Sequence, residues 1–254
     1  MTETTIALIA AMPDETKPLL RRLGSYKTEK VGSFPCYRFA LAGKTCCLVE
    51  SGMGPRRAAA ATRAVLAAAS PRLVINFGFA GAVTAGPSTG DIVVAERILC
   101  CHERLFTEEG GISETLTDTL VSALATPGEK PFSLFRGTFV TTIEIASKKE
   151  VAQRLPAGTT YPSLEMETAS VARITMEAQV PLVALRAISD DAAEELGFAI
   201  AEFTDNEMNL RLGKILLTVI RKPWIIPQLL RLARNTRKAG KNLAEAVQAA
   251  ISVL

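Results

Sequence analysis

Short apolar segments alternate with helical patterns along most of this chain, and this alternation is the strongest constraint on its fold. Strands followed by helices, with short turns between them, are typical of an α/β domain. The predicted strands are Ile6–Met12, Cys36–Ala42, Thr45–Glu50, Leu73–Phe77, Asp91–Glu96, Phe135–Thr141 and Leu182–Ile188, and the predicted helices are Pro55–Ala69, Thr168–Ala178 and Ala199–Ile220. The sequence contains no internal repeat and no obvious linker, so residues 1–254 are interpreted as a single domain.

Composition limits the classes of protein and of site. The 254 residues are 48% hydrophobic and 22% charged, which is ordinary for a globular enzyme. The five cysteines have no metal-type spacing, and we expect them to be reduced, buried thiols in a cytoplasmic protein. His102 is the only histidine, which excludes a metal site built from several histidines. The first residues lack the basic start of a signal peptide, and no apolar run approaches the length of a membrane-spanning helix.

Positive charge is concentrated in one segment near the end of the chain. Between Met208 and Ala244 there are nine Lys and Arg residues and no Asp or Glu, while the rest of the chain carries 20 basic and 26 acidic residues. Arg231, Arg234, Lys238 and Lys241 fall at helical spacing along one face, with leucines on another. A proline-bounded apolar bend at residues 223–227, which contains Trp224, precedes this stripe. A basic stripe beside such a bend suits contact with a membrane surface, although a helix packed on the core with a solvated basic edge is the commoner explanation. The chain has no nucleic-acid recognition motif, and we expect no nucleic-acid partner.

Two acidic motifs lie where the chain is predicted to leave the sheet. Glu165 and Glu167 precede the helix that begins at Thr168, and Asp190 follows the strand that ends at Ile188. Ligands of open α/β sheets bind at the carboxyl ends of strands, so carboxyl groups placed there predict an acid–base site. An acidic surface turn, or acids that favour the positive end of a helix dipole, explains the same pattern without a catalytic role.

Glu165-Met166-Glu167 and Arg186-Ala187-Ile188-Ser189-Asp190 together resemble the nucleoside phosphorylase superfamily, and most of all its methylthioadenosine/S-adenosylhomocysteine nucleosidase branch. The similarity runs from Ile6 to about Asp205 and resumes near Ala239. The resemblance implies a central twisted mixed β-sheet flanked by helices, a homodimer, and no metal or redox cofactor. It also implies that the protein cleaves the N-glycosidic bond of an adenine nucleoside.

The resemblance also implies a role for each acidic motif. Asp190 is the general acid that protonates purine N7, and Ser189 orients its carboxyl group. We expect burial to keep the Asp190 carboxyl protonated for this task. Glu167 accepts hydrogen bonds from the ribose 2′- and 3′-hydroxyls, and its charge suits an oxocarbenium-like transition state. Met166 packs against the ribose, and Glu165 assists from the same turn.

Two candidate nucleophile sites follow from the same resemblance. Glu15 matches the nucleosidase position that activates the attacking water, with Asp14 as the alternative, and capping of the next helix explains both acids without catalysis. Ser51–Arg57 resembles a phosphate cradle that opens a helix. Arg56 or Arg57 could supply a phosphate site there, so phosphorolysis that yields ribose 1-phosphate is the alternative reaction.

A glycine-rich segment, residues 76–81, is interpreted as a ligand-binding loop after a strand. Gly78 permits the close approach of backbone to a ligand. Asn76 favours water over phosphate as nucleophile, because the nucleosidases carry Asn in this segment. Phe79 stands where the family usually has a small hydroxyl residue, and we expect it to wall off the site or to contact an apolar substituent.

The purine is expected to bind at Thr141–Ala146. Ile145 stands in the place of the family's aromatic residue, and Ala146 offers backbone contacts to adenine. His102, Arg104 and Phe106, of which Arg104 lies outside the residues that the structure describes, occupy the place where the family has a lid that a neighbouring subunit completes. A surface position without function explains His102 equally well.

About twenty-five residues around 208–238 are additional to the family pattern. This basic and apolar helical addition resembles the hopanoid-associated branch, whose members remove adenine from adenosylhopane to leave ribosylhopane. We therefore expect a 5′-substituted adenosine as substrate, and peripheral contact of 208–241 with the inner face of the membrane. A non-catalytic nucleoside-binding or membrane-docking module is the alternative of another class, and intact Asp190, Glu167 and Glu15 argue against it.

Overall fold

The computed structural model describes residues 5–103, 105–125, 130–144, 146–192 and 226–254, and the predicted helix Ala199–Ile220 lies outside them. The strands are β1 Thr5–Ala10, β2 Lys27–Val31, β3 Phe34–Leu41, β4 Lys44–Glu50, β5 Leu73–Ala82, β6 Ile92–His102, β7 Leu105–Glu109, β8 Leu134–Thr142, β9 Ser163–Glu165 and β10 Leu182–Asp190. The helices are α1 Pro13–Arg22, α2 Pro55–Ala69, α3 Glu114–Ala125, α4 Lys148–Ala152, α5 Thr168–Glu177 and α6 Ile226–Val253. The predicted α/β fold with a central mixed sheet is confirmed.

The ten strands within the described ranges form one mixed sheet that closes on itself at one end. β5 pairs with β10 and β9, and β10, β6, β8 and β9 complete the ring. β1, β4, β3 and β2 extend from β5 as an open wing. Because β1, β5 and β10 are parallel neighbours, their carboxyl ends meet at the same edge of the sheet.

Helices cover both faces of the sheet, which explains the apolar runs of the central strands. In β1, Ile6 and Leu8 pack into a core with α1, α3 and α6, whereas Ala7 and Ile9 pack into a second core with α2 and α5. A strand that is buried on both faces reads as a continuous apolar run rather than as an alternating one.

The final helix, α6, changes character along its length. From Ala239 onward it is amphipathic, and Leu243, Val247 and Ile251 are fully buried at a spacing of four residues. Its first half is mostly exposed and carries the basic stripe seen in the sequence. Within the described part of the chain, every helix is too short or too polar to cross a membrane.

Two strands continue past their predicted ends. β5 runs through Gly78 to Ala82, so the expected glycine-rich loop is part of a strand. β6 continues past the exposed Glu96, where the ladder with β8 shifts register between Ala95 and Arg97. A bulge of this kind places charged residues inside a strand and hides its continuation in the sequence.

Candidate active site

A buried arginine, Arg186 of β10, stands at the centre of the acidic cluster. Its Nη2 donates to Glu165 Oε2 at 2.6 Å, to Thr168 Oγ1 at 2.8 Å and to Asn76 Oδ1 at 2.9 Å. Burying a guanidinium is costly unless a partner charge and further hydrogen bonds compensate for its lost hydration. Arg186 therefore ties β10 to β5, β9 and α5, a role that the sequence analysis did not assign to it.

Glu165 serves the architecture of the site. Its Oε2 accepts the backbone N–H groups of Glu167 at 3.0 Å and Thr168 at 2.9 Å, and its Oε1 accepts the Thr141 hydroxyl. Burial acts to raise the pKa of Glu165, but the Arg186 guanidinium and the Thr141 hydrogen bond hold that pKa below its usual range. Glu165 thus stays ionised and caps the start of α5, so the helix-terminus interpretation of the acidic motif describes this residue.

Glu167, only two residues later, has a different environment. Its Oε1 accepts the Gly54 backbone N–H at 2.8 Å, at the start of α2. Burial raises the pKa of Glu167 to about 7, and the carboxylates of Glu165 and Glu15 act in the same direction. Met166 is half-buried in the turn between the two glutamates. A buried carboxyl group with one backbone donor has lone pairs left for sugar hydroxyls.

Glu15, in the first turn of α1, is held by backbone donors from two segments. Its Oε2 accepts the N–H groups of Ala11 at 2.8 Å and Met12 at 2.9 Å, and its Oε1 accepts the Phe79 N–H at 2.8 Å. Burial raises the pKa of Glu15 against the opposing effects of Arg186 and these three donors. A Cβ added at Gly78 would lie 2.6 Å from Glu15 Oε1, so this glycine makes room for the carboxylate rather than for a ligand.

Three residues of the region expected to bind the nucleophile are either engaged with other protein groups or exposed. The Asn76 side chain donates to the Ile9 carbonyl and accepts from Arg186, so it belongs to the buried network. The Phe79 ring points to α6, since a Cβ added at Gly240 would lie 3.5 Å from its Cζ. Phe79 therefore contributes its backbone N–H to Glu15, while its ring packs toward α6. Asp14, the alternative to Glu15, is exposed.

Asp190 lies at the end of β10 with both carboxylate oxygens engaged. Ser189 Oγ donates to Oδ1 at 2.6 Å, and Lys148 of α4 forms an ion pair with Oδ2. The Asp190 side chain is 18% exposed, so its burial is partial, and its nearest charged partner is a cation. The neighbouring Asp191 accepts the backbone N–H of Thr89 at 2.5 Å and its hydroxyl at 2.9 Å, which is a structural role.

The acid and the candidate base both lie against β5. Gly78 faces the Glu15 carboxylate, and a Cβ added at Gly81 would lie 2.8 Å from Asp190 Oδ2. Three residues of strand separate these contact points by roughly 10 Å. Both carboxyl groups therefore lie near the carboxyl ends of the parallel strands, where ligands of α/β sheets bind.

The expected phosphate cradle is already occupied by protein groups. The Gly54 N–H at the start of α2 is bound to Glu167, and Arg57 Nε donates to the Ser51 carbonyl at 3.0 Å. Arg56 is exposed. This arrangement presents a carboxylate at the helix terminus where a phosphate cradle presents free N–H groups.

A cavity of about 560 Å³ adjoins the predicted purine-binding segment. Ala146, His102 and Phe106 are among its lining residues, whereas Ile145 lies outside the described residues. Leu105 in the adjacent β7 is 75% exposed. The segments expected to bind adenine and to form a lid thus share one open cavity.

The cysteines are all free thiols, three of them buried and two half-buried. The Sγ atoms of Cys36 and Cys47 are 3.1 Å apart on adjacent strands, and the carboxylate of Glu29 lies within 4.8 Å of both. These groups have metal-ligating atoms, but the Glu29 carboxylate is paired with the Arg38 guanidinium.

Known proteins are similar to this chain in sequence and in fold. A family model described as the phosphorylase superfamily matches residues 5–221. A 5′-methylthioadenosine/S-adenosylhomocysteine nucleosidase of Actinobacillus succinogenes is 31% identical over 210 residues, which cover 78% of this chain and 90% of that protein. A protein of the same name from Bacillus thuringiensis is 28% identical over 211 residues, which cover 79% and 91% of the two chains.

Solved structures agree on the fold. The nucleosidase of Neisseria meningitidis in complex with methylthio-immucillin-A has a TM-score of 0.73 and 22% identity, covering 99% of this chain and 100% of that one. Futalosine hydrolase of Helicobacter pylori has a TM-score of 0.73 and 18% identity, covering 99% and 98%. The match of the family model over most of the chain shows the family, as the two acidic motifs predicted. The chain belongs to the phosphorylase superfamily.

Proposed function

We propose that this protein hydrolyses the N-glycosidic bond of an adenine nucleoside that carries a 5′-substituent. The observation that carries the proposal is the placement of Glu15 and Asp190 on either side of the Gly78–Gly81 segment of β5, with Glu167 beside them. The nucleosidase names of the relatives support the same reaction class.

In this proposal three carboxyl groups share the reaction. As the C1′–N9 bond breaks, its electron pair passes to the purine, and Asp190 delivers a proton to N7. Glu167 accepts hydrogen bonds from the ribose hydroxyls and its negative charge stabilises the oxocarbenium-like transition state. Water then attacks C1′ and transfers its proton to Glu15, whose raised pKa suits a general base near neutral pH.

Replacing the acid tests this assignment. Asp190→Asn keeps the size of the side chain and its hydrogen bond to Ser189 but cannot donate a carboxyl proton. We expect adenine release to fall by a factor of about 10²–10⁴, the usual contribution of a general acid, with fold and ligand binding preserved. Retained activity in this variant would show that another group protonates the purine.

Whether water or phosphate is the nucleophile can be decided by measuring adenine release from 5′-methylthioadenosine in buffers with and without phosphate. Hydrolysis is favoured because the groups that would bind a phosphate already have protein partners. Glu167 accepts the Gly54 N–H at the start of α2, and the Ser51 carbonyl accepts from Arg57. Equal rates in both buffers support hydrolysis. Release only with phosphate would make the protein a phosphorylase that forms ribose 1-phosphate.

For the 5′-substituent we propose a large apolar group, with adenosylhopane as the candidate. The support is the basic and apolar addition around 208–238, of which residues 208–225 lie outside the described ones. The Phe79 side chain gives no support, since its ring packs toward α6. A higher kcat/KM for adenosylhopane than for 5′-methylthioadenosine would support the assignment, and the opposite order would contradict it.

We propose that the active form is a homodimer in which a second copy covers the cavity beside His102 and Phe106. The exposed apolar side chains of Leu105 and Ile143, 75% and 44% exposed, lie at this cavity or beside it. Light scattering after size-exclusion chromatography should give twice the mass of the chain. A Leu105→Glu variant should then be monomeric, and a monomeric native protein would contradict the proposal.

Peripheral contact with an anionic membrane is a further part of the proposal. Between α1 and α6 lies a groove of about 710 Å³ whose lining includes Lys17, Arg21, Arg237 and Lys241, with Leu229 at one end. Cations beside exposed apolar side chains suit the headgroup region of anionic bilayers. We expect the protein to float with phosphatidylserine vesicles and not with neutral ones.

Substitutions in the basic stripe of α6 test the contribution of its charge to membrane binding. Replacing Arg231, Arg234 and Lys238 together with Gln should weaken flotation, at a cost of about 1 kcal/mol per cation. Failure of the native protein to bind anionic vesicles would contradict a membrane role at the inner face of the cell membrane.

A further inference from the structure

Lys148 is a largely buried cation that contacts the end of the strand that carries the candidate acid. Its side chain is 12% exposed, and its Nζ pairs with Asp190 Oδ2 and donates to the carbonyls of Asp190 at 3.2 Å and Asp191 at 2.8 Å. A lysine ammonium has three donors and no acceptor. The ammonium therefore clamps the carboxylate and the backbone of the strand end together.

Gly81 of β5 provides an independent indication that this contact is built into the fold. A Cβ added there would lie 2.7 Å from Lys148 Cε and 2.8 Å from Asp190 Oδ2. Both distances are shorter than the contacts that Cβ atoms make in proteins. The absence of a side chain at this position is what allows the lysine and the aspartate to meet above the strand.

Lys148 lies between the candidate acid Asp190 and the segment expected to bind adenine. It is the first residue of α4 and follows Ala146, which lines the cavity of about 560 Å³, by two positions. Ser189 holds Asp190 Oδ1 from the other side at 2.6 Å. Because each carboxylate oxygen has two lone pairs, these contacts fix the plane of the group and leave room for a proton and a purine nitrogen.

We propose that Lys148 is a positioning residue for the acid of this reaction, an inference that rests on the proposed hydrolysis of an adenine nucleoside. Asp190, which pairs with Lys148 as a carboxylate, first takes up a proton from solvent. That proton then moves to purine N7 as the C1′–N9 electron pair passes to the purine, and the carboxylate that remains pairs again with the Lys148 ammonium. Its charge acts only on the step in which the purine is protonated.

Two substrates separate this role from a structural one. In 5′-methylthioadenosine the leaving purine needs a proton, whereas 4-nitrophenyl β-D-ribofuranoside releases a phenolate that needs none. We expect Lys148→Met to lower kcat for methylthioadenosine by a factor of about 10–100, part of the contribution of a general acid, with a small change in KM. The rate with the nitrophenyl riboside should change less than about threefold, and Lys148→Arg should recover most of the loss because it restores a cation.

Lys149→Met is the matched control, because this neighbouring lysine on the same short helix is exposed. Gly81→Ala is a second perturbation that leaves Lys148 in the sequence but displaces it from Asp190, and the same substrate-selective loss is expected. Thermal unfolding of every variant is measured to check that each is folded.

Equal losses on both substrates, or no loss on either, would overturn the inference, as would an equal loss in Lys149→Met. An increase in kcat in Lys148→Met would also overturn it, because it would mean that the ion pair restrains the acid. A native protein that releases adenine in no buffer would overturn the proposed function itself, and the inference with it.

Discussion

Glu167 is buried beside two other carboxylates, and this predicts that the folded protein loses stability as the pH rises. Its pKa lies at about 7 in the folded protein, against an ordinary value of 4.5 in an unfolded chain. Between these two values the folded state keeps a proton that the unfolded state has released, so each unit of pH costs about 1.4 kcal/mol. From about pH 5.5 to pH 7 this cost reaches about 2 kcal/mol, and above pH 7 it levels off because both states are ionised.

The measurement is urea denaturation of the native protein and of Glu167→Gln between about pH 5.5 and pH 8.5, at one protein concentration. Gln retains an acceptor for the Gly54 N–H but has no proton to lose. We expect the difference in unfolding free energy between the two proteins to shift by about 2 kcal/mol in favour of the variant as the pH rises. Glu177→Gln, on an exposed position of α5, is the control and should follow the native profile. Parallel profiles for the native protein and Glu167→Gln would refute the reasoning.

Two further substitutions test the packing of the site. Gly78→Ala places a Cβ against Glu15 and should lower kcat by a factor of about 10² with little effect on folding, whereas Gly110→Ala, whose Cβ would lie 3.5 Å from the nearest side chain, should leave kcat unchanged. An active Gly78→Ala variant would contradict the role of Glu15. Arg186→Met leaves the Glu165 carboxylate buried without its partner and should destabilise the protein by about 3–5 kcal/mol in urea denaturation. A loss below about 1 kcal/mol would show that the pair is not a buried ion pair in solution.

Burial explains which parts of the fold could be predicted from the sequence. Strands covered by helices on both faces contain few polar residues, so the cores of β5 and β10 stood out as apolar runs. Their ends could not be predicted, because strand pairing decides them: β5 continues through Gly78 since β10 and β9 supply partners there. The start of α2 at Pro55 and its end at Ala69 were predicted correctly, since proline is favoured in the first helical turn and the run of alanines forms helix.

The candidate site was only partly predictable, since motifs identify residues and not their partners. The sequence placed Glu165 and Glu167 in one motif but could not show that the first is ionised by Arg186 and caps a helix while the second is free to bind a sugar. Lys148 gave no signal at all, because its partner Asp190 is 42 residues away and no spacing connects them. The direction of the Phe79 ring could not be predicted for a related reason, since the path of β5 and not the residue type decides where the ring points.

The pairing of the strands explains how one site positions an acid and a base independently. Glu15 follows β1 and Asp190 ends β10, and these two strands pair with opposite sides of β5. Each carboxyl group meets β5 at its own glycine, Glu15 at Gly78 and Asp190 at Gly81. Under the proposed mechanism, we expect a methyl group at Gly78 to disturb the activation of water, which every substrate requires, and one at Gly81 to disturb only the protonation of the leaving group. Substrates that differ in their need for that proton can thus distinguish the two halves of the site.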